Sequence, residues 1–319
     1  MKLIDLYYQL KPFVPRRAQI FLRRKFSAHK LKHVQDVWPI NPETARPPEG
    51  WNGWPDKKKF ALLLHHDVDT ALGLEQCNRL MDLEKRLGFL SQFNFVPEGY
   101  AVPGTLRQSL AESCFEIGVH GLTHDGKLFR RRADFDEKAV RINHYLREWG
   151  AVSFSSPSMV RNLSWIGDLN IEHDCSSFDT DPFEPQPESS GTIFPFFISN
   201  ISKTRTYVEL PYTLPQDHNL FIILRERDIT LWIRKLDWVA ENGGMALLIT
   251  HPDYMNFNAT RCSYEQYPIS HYINFLEYIK SRYAGQYWHV LPRELAQFWR
   301  KTMLREANAV TSGRAEQGT

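Results

Sequence analysis

At 319 residues, with 42% hydrophobic and 24% charged residues, the chain can bury a large core in one domain and has an ordinary globular composition. A formal net charge of +2, with no RNA-binding signature and no zinc-finger spacing, gives no ground for nucleic-acid binding. Cys77, Cys114, Cys175 and Cys262 lie far apart without a Cys-x-x-Cys pair, which argues against a cysteine zinc site or a disulfide framework and fits a reducing cytoplasm.

In chain order, residues 1–54 read as an N-terminal extension. It is basic (Lys2, Lys11, Arg16, Arg17, Arg23, Arg24, Lys25, Lys30 and Lys32 against Asp5) with Leu3, Leu6, Leu10, Ile20, Phe21 and Leu22 interleaved. This pattern suits a docked segment with a solvated basic face, or peripheral contact with an anionic membrane. Pro12 and Pro15 interrupt the only candidate apolar stretch, so neither a signal peptide nor a membrane span is expected. A linker rich in Pro, Gly and Trp, Pro47 to Pro55, ends the extension.

Residues 55–303 alternate short apolar runs with amphipathic stretches. Strands are predicted at 60–64, 92–96, 116–120, 151–154, 207–211, 219–224, 245–250 and 287–290. Helices are predicted at 73–87, 104–114, 134–149, 228–242, 269–282 and 292–302. Asp134 and Glu137 stand at capping-box spacing before a stop at Gly150, and Asp228 opens a helix that stops at Gly243-Gly244. Strand–helix alternation implies a mostly parallel sheet, and seven or eight such strands imply a barrel, complete or not. The remainder, 304–319, is a small, polar, frayed tail.

The polar candidates fall at carboxyl ends of these strands, which share one face in a βα barrel. His65-His66-Asp67-Val68-Asp69 follows strand 60–64. His120 ends strand 116–120, and His124 follows it. Ser155-Ser156-Pro157 follows 151–154, and His251 follows 245–250. A carboxylate with two imidazoles is a zinc-type set that leaves a position open for water. His251 offers an imidazole as general acid. His65, His66 and His271 have weaker claims, the first two as packing or supporting groups. The acidic loop 174–185 offers Asp179 and Asp181 to sugar hydroxyls, or else is a rigid surface loop shaped by Pro182, Pro185 and Pro187.

Together these residues resemble the polysaccharide deacetylase family, also called the NodB homology domain or carbohydrate esterase family 4, over roughly residues 55–300. Asp67 and Asp69 look like its first motif, His120 and His124 its second, Phe154 to Pro157 its third, and Leu248 to His251 its last. The resemblance implies a distorted (β/α)7-type barrel. It implies one divalent metal, typically Zn2+, on Asp69, His120 and His124, with Asp67 as general base and His251 as general acid. It further implies an acetylated carbohydrate as substrate; Ser155 and Pro157 of the third motif, with Asp179 and Asp181 of the acidic loop, are the candidates for the substrate site. One departure stands out: Ser155 occupies the place of the family's arginine, which keeps the catalytic aspartate charged. Arg161 is the expected substitute. The resulting expectation is a cytoplasmic or membrane-peripheral, metal-dependent deacetylase of an N-acetylated sugar. The rivals are a non-catalytic carbohydrate-binding relative and another metal-dependent amidase or phosphoesterase on the same barrel.

Overall fold

The computed structural model describes residues 14–200, 205–258 and 261–303. The tail 304–319 and the basic and apolar positions before residue 14 lie outside the described residues. The chain first forms α1 (Arg16–Leu31), a helix within the segment predicted only as an extension. The central element is β1 (Phe60–Val68), buried at every position. Its unbroken apolar run suits a strand covered on both faces. It extends past the predicted end at Leu64, so Asp67 lies inside the strand rather than after it.

After β1 come α2 (Ala71–Leu87), β2 (Gln92–Phe95), α3 (Gly104–Glu112), β3 (Glu116–His120), α4 (Arg132–Trp149), β4 (Ser153–Ser155), the short α5 (Leu163–Ile166) and β5 (His173–Asp174). Then follow β6 (Phe196–Asn200), β7 (Arg205–Glu209), α6 (Thr230–Glu241), β8 (Met245–Thr250), the short pair β9 (Met255–Asn256) and β10 (Tyr267–Pro268), α7 (Ser270–Arg282) and β11 (Tyr287–His289). Residues 292–303 are helical.

Nine strands form one sheet, in the order β11-β1-β2-β3-β4-β5-β7-β6, with β8 also paired to β1. All pairings are parallel except that of β6 with β7. Beyond β7 the chain meets β8 through a single bridge, Leu214 to Leu248. The architecture is therefore a distorted α/β barrel, curled into a ring but closed by one bridge instead of a strand.

The two-residue period of β1 sorts its side chains. Ala61 and Leu63 join Leu247, Ile249 and Val208 in one core cluster, whereas Phe60, Leu62 and Leu64 join the helices in another. His65 and Asp67 fall in register with Ala61 and Leu63. His66 falls with the helix-facing set, where it binds Glu84 of α2.

Several predicted elements need correction. Residues 219–224 are not a strand; His218–Leu224 is π-helical, and Asn219 to Ile223 are buried throughout. A short apolar run buried on all sides carries no period that separates strand from helix. The expected capping box at Asp134 is absent: α4 starts at Arg132, and Asp134 pairs with Arg131 instead. The stop at Gly150, with φ 63°, is as expected. The helix expected to open at Asp228 begins at Thr230 with Ile229 at its N-cap; Asp228 stands just before it and accepts from the Thr230 N–H at 2.9 Å. Strands β5 and β6 were not predicted; the first is only two residues long.

Candidate active site

The site gathers at the carboxyl ends of β1, β3 and β8. Asp67 is buried at the end of β1. Its Oδ1 lies 2.8 Å from His65 Nε2 and accepts from Asn94 Nδ2 at 3.1 Å, and its Oδ2 accepts from Ser155 Oγ at 3.2 Å. Burial alone would raise this carboxyl, but His120, His65 and His251 overcome it and hold it well below the usual carboxylate range.

Asn94 owes its position to its strand. Gln92 and Asn94 share one face of β2, and Gln92 Nε2 donates to Ser153 Oγ at 2.9 Å. Gly118 of β3 makes room for this polar row: a Cβ there would come within 1.9 Å of Asn94 Oδ1. Gly121, at φ 66°, turns the chain after His120, and Pro157 packs against it, its Cγ 2.6 Å from where a Cβ would stand.

Asp69, His120 and His124 bring one ligand atom each to within 4.8 Å of one another. Asp69 Oδ1 is 3.4 Å from His120 Nε2 and 3.2 Å from His124 Nε2. That buried oxygen has no hydrogen-bond partner, and a buried carboxylate oxygen left so needs a positive charge. One carboxylate and two imidazoles suit a zinc-type ion with a position left open. The residues therefore fit the metal that the motif implies.

His251 follows β8 and faces the same cavity. Its Nδ1 is 2.7 Å from Asp217 Oδ1, and its backbone N–H donates to Asp217 Oδ2 at 2.8 Å. Tyr267 donates to the same oxygen at 3.0 Å. Burial opposes a charge on the imidazole, but Asp217 and then Asp69 outweigh it and push His251 up to about 10. Asp217 itself stands just before the π-helical segment, whose His218 and Asn219 also line the cavity.

The cavity above these groups has a volume of about 390 Å³. Asp67, Asp69, His120, His124 and His251 meet at it, so the structure brings together five predicted residues from distant parts of the chain. Ser155 joins them through Asp67. Pro157 supports the His120 turn and does not line the cavity.

The other predicted residues are elsewhere. Arg161 does not reach Asp67. Its guanidinium donates to the carbonyls of Met159 at 3.1 Å, Gln186 at 3.5 Å and Glu188, and it lies over the Phe178 ring. Asp179 is buried against Lys235 Nζ at 2.5 Å, and Asp181 is buried under Tyr212 at 2.9 Å and Asn219 at 3.2 Å. Both are held inside the protein, away from the cavity wall. The loop's contribution to that wall is instead Pro182 to Pro185 and Pro187. His66 is enclosed between Thr250 at 2.7 Å and Glu84 at 2.9 Å, a supporting group as expected.

Asn94 and Asp217 were missed by sequence reasoning. A signal existed for Asn94: the Gln-Phe-Asn-Phe alternation of β2 points two amides to one face. Asp217 had no such signal, because the segment it introduces was read as a strand.

No family profile matches the sequence. No curated protein matches it either. Solved structures do. A Mycobacterium smegmatis protein assigned to the polysaccharide deacetylases superposes with a TM-score of 0.63 at 16% identity, covering 81% of this chain and 96% of that one. The PuuE allantoinase superposes at 0.59 and 16% identity, over 81% and 95% of the two chains. A Pseudomonas aeruginosa PAO1 protein assigned to the polysaccharide deacetylases superposes at 0.56 and 15% identity, over 80% and 95%. The chain thus carries a domain with the NodB-like, carbohydrate esterase family 4 fold.

Proposed function

We propose that the protein is a metal-dependent hydrolase that removes an acetyl group from an N-acetylated sugar. The carrying observation is that Asp67 and the Asp217-backed His251 face one cavity with the Asp69, His120 and His124 cluster. A divalent ion on that cluster, most readily Zn2+, would polarise an amide carbonyl and acidify water.

The chain's own residues supply the proton transfers. Asp67, ionised by its imidazole neighbours, takes the proton from a water in the cavity. His65, Asn94 and Ser155 fix its two oxygens, a role the motif otherwise gives to an arginine. His251, charged through Asp217, delivers a proton to the departing amine nitrogen. Without that proton the amine is too poor a leaving group for an amide to break. Four free cysteines support a reducing, cytoplasmic setting for this reaction.

Acetate release from N-acetyl sugars and nucleotide sugars by zinc-loaded protein tests the reading, with Asp67→Asn in parallel. Release that vanishes in the variant is expected. Zinc binding without release from any substrate would favour a non-catalytic binding relative.

A further inference from the structure

Helix α1 belongs to no strand of the barrel, yet it forms one wall of the cavity with Arg16, Arg23, Phe26 and Lys30. Other side chains hold it down. Ile20 and Ser27 are its buried positions, and Arg24 donates to the carbonyls of Ile222 at 2.8 Å and Tyr264 at 3.1 Å. Arg16 pairs with Glu265 at 2.9 Å. Arg23 and Lys30 have no ion pair among the described residues. Arg23 reaches only Asn219 Oδ1 at 3.5 Å, and Lys30 donates to the Pro182 carbonyl.

A guanidinium carries five donors and an ammonium three, so both cations keep donors free beside the cavity. Glu184, on the same wall, accepts instead from Tyr212 at 3.1 Å and Asn219 at 2.8 Å. The carboxylates Asp67 and Asp69 sit lower, among the imidazoles. The cavity is therefore acidic at its metal-binding floor and cationic at its helical wall. Burial raises the Asp181 and Glu184 carboxyls and Arg23 lies near enough to lower both in part, but neither it nor Lys30 donates to a carboxylate among the described residues. Cations so placed at a cavity suit an anion, and planar guanidinium donors suit phosphate oxygens best.

Resting on the deacetylase reading, we propose that the substrate is a phosphorylated N-acyl sugar, its phosphate or diphosphate held by Arg23 and Lys30 while the amide reaches the floor. Phe26 is exposed at the mouth, and Phe21 and Leu22 are exposed on the same helix. Of these, Phe26 lines the cavity and would meet the group that the phosphate carries, a nucleoside or a lipid.

Calorimetric titration of the full-length, chelator-treated protein tests this, using inorganic pyrophosphate against wild type and the Arg23→Gln, Lys30→Gln double variant. Metal-free protein removes phosphate binding by the ion itself. Wild type is expected to bind pyrophosphate, with affinity falling about tenfold or more in the variant. In wild type, affinity should also weaken with rising ionic strength, a reading that needs no variant to fold. Equal affinity in the two proteins, salt-insensitive binding, or binding only with metal present overturns the proposal. UDP-N-acetylglucosamine and a polyprenyl phosphate in mixed micelles then separate the carriers. Tighter binding of either keeps the proposal and names the carrier; neither binding better than N-acetylglucosamine overturns it. Phosphate affinity lost in the double variant, without acetate release from any substrate, would leave the anion site on Arg23 and Lys30 standing but remove the deacetylase reading and with it the N-acyl sugar as substrate.

Discussion

Two pairs of buried acids sit in one barrel and behave in opposite ways. Asp67 and Asp69 are surrounded by His65, His120, His124 and His251, and both are held well below the usual carboxylate range despite burial. Asp174 and Glu209 face each other across β5 and β7, fully buried, with hydrogen bonds from the Ser176 and Ser177 hydroxyls and the Ser176 N–H. Burial raises Asp174 to about 6, and burial with Asp174 beside it raises Glu209 well above the ordinary value. The first pair opens on the cavity and the second does not, but Asp67 and Asp174 are both buried and differ in their neighbours. The one arginine predicted to serve Asp67, Arg161, acts on the second pair instead and only partly offsets its burial. The charge on Asp67 and Asp69 is therefore favoured chiefly by imidazoles, and no arginine is among their leading partners.

The largest break in that contrast comes from the imidazoles. His120→Ala removes one of the cluster's three ligands. Zinc affinity, measured by competition with a chelating dye, should fall by more than the roughly 10–100-fold typical of losing an outer partner. Asp67→Asn keeps the cluster and removes the base. Acetate release should drop by on the order of 100- to 10,000-fold while zinc content stays at one per chain.

Asp217→Asn tests the charge on His251. With Asp217 present the imidazole keeps its proton up to about 10. The variant should lose activity on the alkaline side first, its pH–rate limb moving down toward the ordinary histidine range, with kcat lower by about tenfold or more. Stability follows the same group. Its folded value lies above its unfolded one, so its contribution is complete below about 6.5 and is lost as pH rises through about 10. The urea-unfolding difference between wild type and variant should therefore shrink across that window.

Smaller effects sharpen the comparison. Ser155→Ala removes one of three hydrogen bonds to Asp67. A loss of about 0.5–1.5 kcal/mol corresponds to a roughly twofold to tenfold lower kcat, with KM unchanged. Glu209→Gln should be the mildest. Burial and Asp174 already raise the glutamate well above its ordinary value, and an amide can still accept from Ser177 and donate to Asp174. Stability measured by thermal unfolding should change by less than about 1 kcal/mol.

Much of this was legible in the sequence. Apolar runs ending in Asp, His or Ser marked β1, β3, β4 and β8, and their parallel packing put those ends on one face. What could not be read depended on company that the chain acquires only on folding. Asp179 and Asp181 sit in an acidic, Pro-broken loop that reads as exposed, but Lys235 from α6 and Asn219 from the π-helical segment cover them. Arg161 lies close to Ser155 in sequence, and a strained turn at Ser158 and Met159, both at positive φ, precedes it. Helix α1 was hidden because its face toward the barrel buries only Ile20 and Ser27, too little to make an apolar stripe.

That helix has a consequence for how such a protein can change over time. The floor of the cavity is fixed by strand register, where a one-residue slip would turn His65 and Asp67 to the wrong side. The wall supplied by α1 is bound to no register; it is docked by a few side chains onto carbonyl oxygens. Substitutions along it could change the cavity wall without touching the strand-borne residues of the floor. In this barrel the wall and the floor of one cavity are held by independent means.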